Sequence, residues 1–242
     1  MTVTLCDDAT TVSELAADRV AAMLADRPDA VLGLPTGRTP IGMYEGLVQR
    51  HGAGLDFSRV TTFNLDEFVG IGADHPGSYH AYMAEHLFDH INVDAERAHL
   101  LDGLANDPDA ECARYEAAID AAGGIDLQIL GIGGNGHIGF NEPAETLTAS
   151  THRVRLLEQS RLANAVFFGG DVTQVPVEAL SMGMGTILKA RRILLLATGS
   201  GKQDAVYGTV RGGVTTQLPS SFLQLHPHVE IICDVAAAGR LG

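Results

Sequence analysis

Short apolar runs, each followed by a glycine-bearing or polar loop and then by residues at helical spacing, set the plan of this chain. Val3-Thr4-Leu5, Ala30-Val31-Leu32-Gly33-Leu34, Val60-Thr61-Thr62-Phe63-Asn64-Leu65, Ile125-Asp126-Leu127-Gln128-Ile129-Leu130, Ile193-Leu194-Leu195-Leu196-Ala197 and Val229-Glu230-Ile231-Ile232-Cys233 have strand length and a largely apolar or β-branched make-up. That is the pattern of strands covered on both faces. Between them, Thr11-x-x-Glu14 predicts a capping box for a helix carrying Leu15, Ala16, Val20, Met23 and Leu24 inward and ending near Pro28. Helical periodicity resumes over 41–48 and again, amphipathically, over 78–90, while Asp107-Pro108 supplies an N-cap and an N1 proline for a helix that stops at Gly123-Gly124. The stretch 176–189 reads as helical in part despite Gly183 and Gly185, a helix follows from Gln203, and 219–225 reads as a short turn-helix. Strands alternating with helices to the end predict an α/β fold: one domain over 1–242 with a doubly wound, mostly parallel sheet.

Four loops follow predicted strands, and in open α/β sheets ligands lie beyond the carboxyl ends of strands. The densest is Gly131-Ile132-Gly133-Gly134-Asn135-Gly136-His137-Ile138-Gly139-Phe140-Asn141-Glu142, closed by Pro143. Its five glycines let the backbone approach a bound molecule, and three polar side chains, Asn135, His137 and Glu142, stand within eight residues. Gly131-x-Gly133-x-x-Gly136 matches a dinucleotide fingerprint, but that motif must run into a helix, and Pro143 forbids an uninterrupted one here. An acid-base site fits better: a histidine titrates near neutrality and a glutamate can orient its ring.

Pro35-Thr36-Gly37-Arg38-Thr39-Pro40 lies between a strand and a helix, where backbone N–H groups meet an anion, or where the chain simply turns. Asp66-Glu67 closes another strand; one carboxylate can cap a turn or serve as a general base aimed at the crevice. Thr198-Gly199-Ser200-Gly201-Lys202 resembles a phosphate loop only superficially, because Leu196 stands where the motif needs glycine and Gln203 where it needs serine or threonine. A lone ammonium at a helix start remains a sound monophosphate clamp. The segment 146–176 contains Arg153, Arg155 and Arg161 among small and polar residues with weak periodicity, which suits either a lid over the site or a surface helix with its connection.

Composition narrows the partners. A net charge of −14 over 242 residues excludes a basic footprint for nucleic acid or an anionic membrane, so any anionic ligand must be met by local cations. Lys189 and Lys202 are the only lysines, a balance that fits a high-salt cytoplasm or genome composition alike. Cys6, Cys112 and Cys233 are far apart and lack CxxC spacing, which indicates a reducing, cytoplasmic setting without a thiolate metal site. No apolar run approaches the ~18 residues of a membrane span, and the amino-terminal residues lack the pattern of a secretory signal.

Taken together, Leu34-Pro35-Thr36-Gly37-Arg38-Thr39-Pro40, Asn64-Leu65-Asp66-Glu67-Phe68, 131–143 and Gly199-Ser200-Gly201-Lys202 resemble the glucosamine-6-phosphate deaminase family, with Gln224-Leu225-His226-Pro227 adding to the likeness. The resemblance covers nearly the whole chain. It implies a Rossmann-like fold that converts glucosamine 6-phosphate and water to fructose 6-phosphate and ammonia without a metal or organic cofactor. It assigns ring opening to His137, assisted by Glu142 and Asn135, the C1–C2 proton transfer to Asp66, and phosphate binding to Thr36, Gly37, Arg38 and Lys202. Three departures stand out. Many relatives carry aspartate where this chain has Asn135. Relatives place an arginine before a Phe-Phe pair, where this chain has Val166 ahead of Phe167-Phe168, and Arg38 occupies a position that is smaller in many of them. Residues 144–155 do not resemble the activator-binding pattern of the larger, hexameric members, so no activation by N-acetylglucosamine 6-phosphate is expected; a homo-oligomer stays open. Two other readings compete: a 6-phosphogluconolactonase-like hydrolase of the same superfold, disfavoured by Phe140-Asn141-Glu142-Pro143 and Leu65-Asp66-Glu67, and a sugar-phosphate sensor, disfavoured because this acidic chain has no room for a DNA-binding module.

Overall fold

The computed structural model describes residues 1–242. In chain order its elements are β1 (Thr2–Cys6), α1 (Ala9–Asp26), β2 (Val31–Leu34), α2 (Ile41–Gly52), β3 (Thr61–Asn64), β4 (Asp66–Phe68), α3 (Tyr79–His86), β5 (Ala98–His99), α4 (Pro108–Ala121), β6 (Leu127–Gly131), β7 (His152–Arg155), α5 (Glu158–Asn164), β8 (Glu178–Ser181), α6 (Met184–Leu188), β9 (Arg192–Ala197), α7 (Gln203–Arg211) and β10 (Val229–Asp234). Short 3-10 turns, Ala165–Phe168 and Pro219–Leu225 among them, fill several connections.

Seven strands form one sheet in the order β1-β10-β9-β6-β2-β3-β5, every neighbour parallel. Side chains alternate between two cores. On β9, Leu194 and Leu196 join the core formed with α1, α2 and α3, whereas Ile193, Leu195 and Ala197 join the core formed with α4, α6 and α7. This is the doubly wound arrangement. From β2 the chain winds outward through β3 to β5, and from β6 it winds the other way through β9 to β10, so the β2/β6 boundary is the topological switch point. At that boundary Gly33 leaves space that the Gln128 side chain occupies: a Cβ there would stand 2.1 Å from Gln128 Oε1.

The structure corrects three expectations. Helix α1 is capped by Asp8, whose carboxylate accepts from the Thr11 N–H at 2.8 Å, so Thr11 lies inside the helix instead of capping it. The stretch read as helical in part is helix at Met184–Leu188, and its residues Glu178–Ser181 form β8, a strand not expected there. The third correction matters most for the site. Asp66-Glu67 does not hang from the end of β3 but begins β4, which joins β8 and β7 in a separate antiparallel sheet of order β4-β8-β7. No helix is long and apolar enough to cross a membrane.

Candidate active site

A cavity of about 570 Å³ opens beyond the carboxyl ends of β2, β3, β6 and β9. All four predicted loops reach it: Thr36, Gly37 and Arg38 after β2, Asp66 after β3, Asn135 and His137 after β6, and Lys202 after β9. Glu142 adjoins it, 3.4 Å from His137. Two smaller depressions, at the opposite ends of β9 and β10 and beside α4, contain none of these residues.

The two acidic residues of β4 part company there. Glu67 is buried and accepts from the N–H groups of Phe68 (2.7 Å), Tyr79 and His80 (3.1 Å each) and faces His80 Nδ1 at 2.9 Å, so it fastens β4 to the start of α3. Asp66, one residue earlier on an alternating strand, faces the other way. Its side chain is 5% exposed, lines the cavity and accepts no hydrogen bond from the chain. Burial, and secondarily the Glu67 charge, push its carboxyl up to about 8. The second sheet fixes its place: Asp66 pairs with Ser181 of β8, and the Ser181 hydroxyl accepts from the Phe140 N–H at 3.0 Å. The strand carrying Asp66 and the loop carrying His137 are thereby held together. Between them lies Gly139, at φ +56, where a Cβ would come within 3.1 Å of Ser181 Oγ and 3.3 Å of Asp66 Oδ2.

Within the glycine loop the side chains order one another. Asn135 Oδ1 accepts from the His137 N–H at 3.2 Å, and its Nδ2 donates to Glu142 Oε2 at 3.1 Å. The same Oε2 faces His137 Nδ1, beyond good hydrogen-bond length, and Nδ1 has no other partner. Glu142 Oε1 accepts from the Ser160 hydroxyl of α5. Burial works to raise the Glu142 carboxyl, but His137, Ser160 and Asn135 together outweigh it and hold it below its ordinary value. Gly133 is a second glycine this site requires, because a Cβ there would lie 2.3 Å from the His137 ring.

At the far end the 35–38 loop is shaped for an anion. Tyr44 donates to the Pro35 carbonyl at 2.5 Å and Tyr82 to the Gly37 carbonyl at 2.6 Å, while the N–H groups of Thr36, Gly37 and Arg38 donate to nothing in the chain. Gly37 has φ +101. The Arg38 guanidinium forms no ion pair; burial, and next the Arg38 charge, lower the Lys202 ammonium. The buried Asp234 carboxylate fixes the Lys202 loop from behind, accepting from the Gly199 N–H at 2.9 Å. Two cations without a counter-charge, beside free N–H groups, form a ready anion site. No three His, Cys, Asp or Glu side chains stand at metal-ligating spacing.

Helix α5 forms another wall, through Gln159, Ser160 and Asn164, with Phe167 of the following turn. Arg153 and Arg161 do not reach the cavity: the first pairs with Glu178 and the second donates to the carbonyls of Val172 and Val175. Val166 is exposed and outside the lining. Tyr79, Ser160 and Asn164 are site residues that sequence reasoning missed. Tyr79 donates to Asn164 Oδ1 at 3.2 Å, and burial with the nearby Asp66 holds its hydroxyl well above the ordinary tyrosine value. A tyrosine after an N-cap serine and a serine and asparagine four apart on a helix are common patterns; only tertiary packing brings them to the cavity.

A family model described as glucosamine-6-phosphate isomerases/6-phosphogluconolactonase matches residues 7–232. Over 231 residues, 95% of each chain, the sequence is 53% identical to a glucosamine-6-phosphate deaminase of Halothermothrix orenii. It is 49% identical over 242 residues to that of Clostridioides difficile, covering 100% of this chain and 97% of the relative. A solved structure of a monomeric glucosamine-6-phosphate deaminase superposes with a TM-score of 0.96 at 44% identity over 99% of both chains. A 6-phosphogluconolactonase from Trypanosoma cruzi, at 21% identity and a TM-score of 0.78 over 99% of this chain and 96% of that one, shares the fold.

Proposed function

This chain belongs to the family of glucosamine-6-phosphate isomerases and 6-phosphogluconolactonases, and from that membership we propose that it is a glucosamine-6-phosphate deaminase. It converts glucosamine 6-phosphate and water to fructose 6-phosphate and ammonia. One observation carries the residue assignments: a buried carboxylate with no partner of its own, Asp66, opens onto the same cavity as His137 and Lys202.

The phosphate is held by the N–H groups of the 36–38 loop with Arg38 and Lys202, whose charges the dianion neutralises. That leaves the sugar carbons between Asp66 and His137. His137 accepts the anomeric proton and returns one to the ring oxygen, opening the pyranose. Glu142, steadied by Asn135, stabilises the imidazolium that exists between those two transfers. Asp66, ionised, takes the C2 proton while the substrate's own ammonium gives a proton to the C1 oxygen, so that an enolamine forms, and Asp66 then returns its proton to C1. The product is an imine at C2, to which water adds as ammonia departs. Burial without a hydrogen bond suits Asp66 to this shuttle, because it raises proton affinity in a group that must both take and give. Arg38 supplies the guanidinium that relatives of this resemblance carry ahead of Phe167-Phe168, where this chain has Val166.

The chain acts as one catalytic unit, with a lid within 146–176 whose inner wall is α5. It works as a cytoplasmic enzyme, in keeping with three free, buried cysteines, and without activation by N-acetylglucosamine 6-phosphate. Two assays on one preparation test the activity: ammonium release from glucosamine 6-phosphate, expected, and hydrolysis of 6-phosphogluconolactone, expected to be absent. The reverse outcome assigns the chain to the other branch of its family.

A further inference from the structure

We infer that Ser160 is the positioning residue through which helix α5 sets the ring-opening pair, its hydroxyl holding Glu142 in the orientation that faces His137. This rests on the deaminase reading and adds a residue to it. Glu142 is 8% exposed, and its two oxygens are held from opposite sides: Oε2 by Asn135 of its own loop and Oε1 by Ser160 of α5. A carboxylate held at one oxygen can swing about its last side-chain bond; held at both, it cannot. The swing matters because His137 Nδ1 has no hydrogen-bond partner and depends on Oε2, 3.4 Å away, for its orientation. Ser160 is 2% exposed, so without Glu142 its hydroxyl would have little water to turn to.

Helix α5 has anchors besides Ser160. The helix is anchored by Asn164, which accepts from Tyr79, and by Arg161, which donates to the Val172 and Val175 carbonyls. Removing the Ser160 hydroxyl therefore leaves the cavity wall seated and frees only the carboxylate.

The test is a double-mutant cycle on ammonium release, comparing parent, Ser160→Ala, Glu142→Ala and the double variant, each checked by thermal melting. A hydrogen bond to a charged group predicts that Ser160→Ala lowers kcat roughly 10- to 100-fold with KM within about twofold. In the Glu142→Ala background the same change should lower kcat by less than about twofold, because residues acting through one another are not additive. An equal loss in both backgrounds, a loss carried by KM, or parental kcat in Ser160→Ala would overturn the inference while the deaminase reading stands. A parent that releases no ammonium overturns both.

Discussion

Asp66 places function and stability in opposition. Its carboxyl, raised from 3.8 to about 8, binds a proton in the folded chain that the unfolded chain has already released. The stability this gives is fully present below about pH 4 and is lost as pH rises towards 8, where the ionised form must be buried. Activity has the opposite sign, because only the ionised form can take the C2 proton. For the free enzyme, kcat/KM should therefore climb through an apparent pKa near 8; a profile flat from pH 6 to 9 would remove Asp66 as the titrating base. Asp66→Asn should in turn melt a few degrees higher than the parent at pH 8, a common exchange at buried catalytic charges. At the other end of the cavity, Arg38 has no ion pair to lose. A charge-assisted contact of about 1.5–3 kcal/mol predicts that Arg38→Ala raises KM some 10- to 100-fold with little change in kcat. A KM within twofold of the parent would sink the idea that Arg38 does the work of the arginine replaced by Val166.

Among the elements, the small β4-β8-β7 sheet decides whether two residues distant in sequence meet. Through Ser181 it joins the strand of Asp66 to the loop of His137, and glycines permit the approach. Gly133→Ala puts a methyl group onto the imidazole, so kcat should fall by about two orders of magnitude, as misplacement of a catalytic group does; an unchanged kcat would show that the loop yields. This sheet was also the least legible part of the sequence. The long parallel strands and the Asp107-Pro108 helix start declare themselves through local apolar runs and caps. The antiparallel strands β4, β7 and β8 do not, least of all Asp66-Glu67-Phe68, whose two carboxylates read as a strand end until partners more than 100 residues away are known. For the same reason Glu67 was recognisable as acidic but not as the fastening of α3. The site loops were legible because backbone approach demands glycine locally. Tyr79, Ser160 and Asn164 were not, since only packing directs them inward.

For the molecule as a whole, the switch point between β2 and β6 brings loops from both halves of the sheet to one cavity, and a net charge of −14 surrounds it. A chain so acidic repels itself at low ionic strength, where the Debye length is about 30 Å at 0.01 M and 3 Å at 1 M. Its Tm should therefore rise by several degrees between ~0.01 and ~0.5 M NaCl; a Tm that falls over that range would show the charges to be locally compensated. The central claim is that a carboxylate and an imidazole from different strand ends work on one amino-sugar phosphate. Steady-state ammonium release from glucosamine 6-phosphate by the parent and by Asp66→Asn tests it most directly. The account predicts a kcat lower by about 10² to 10⁴ in the variant with KM within twofold, whereas a variant that turns over at the parental rate would contradict it.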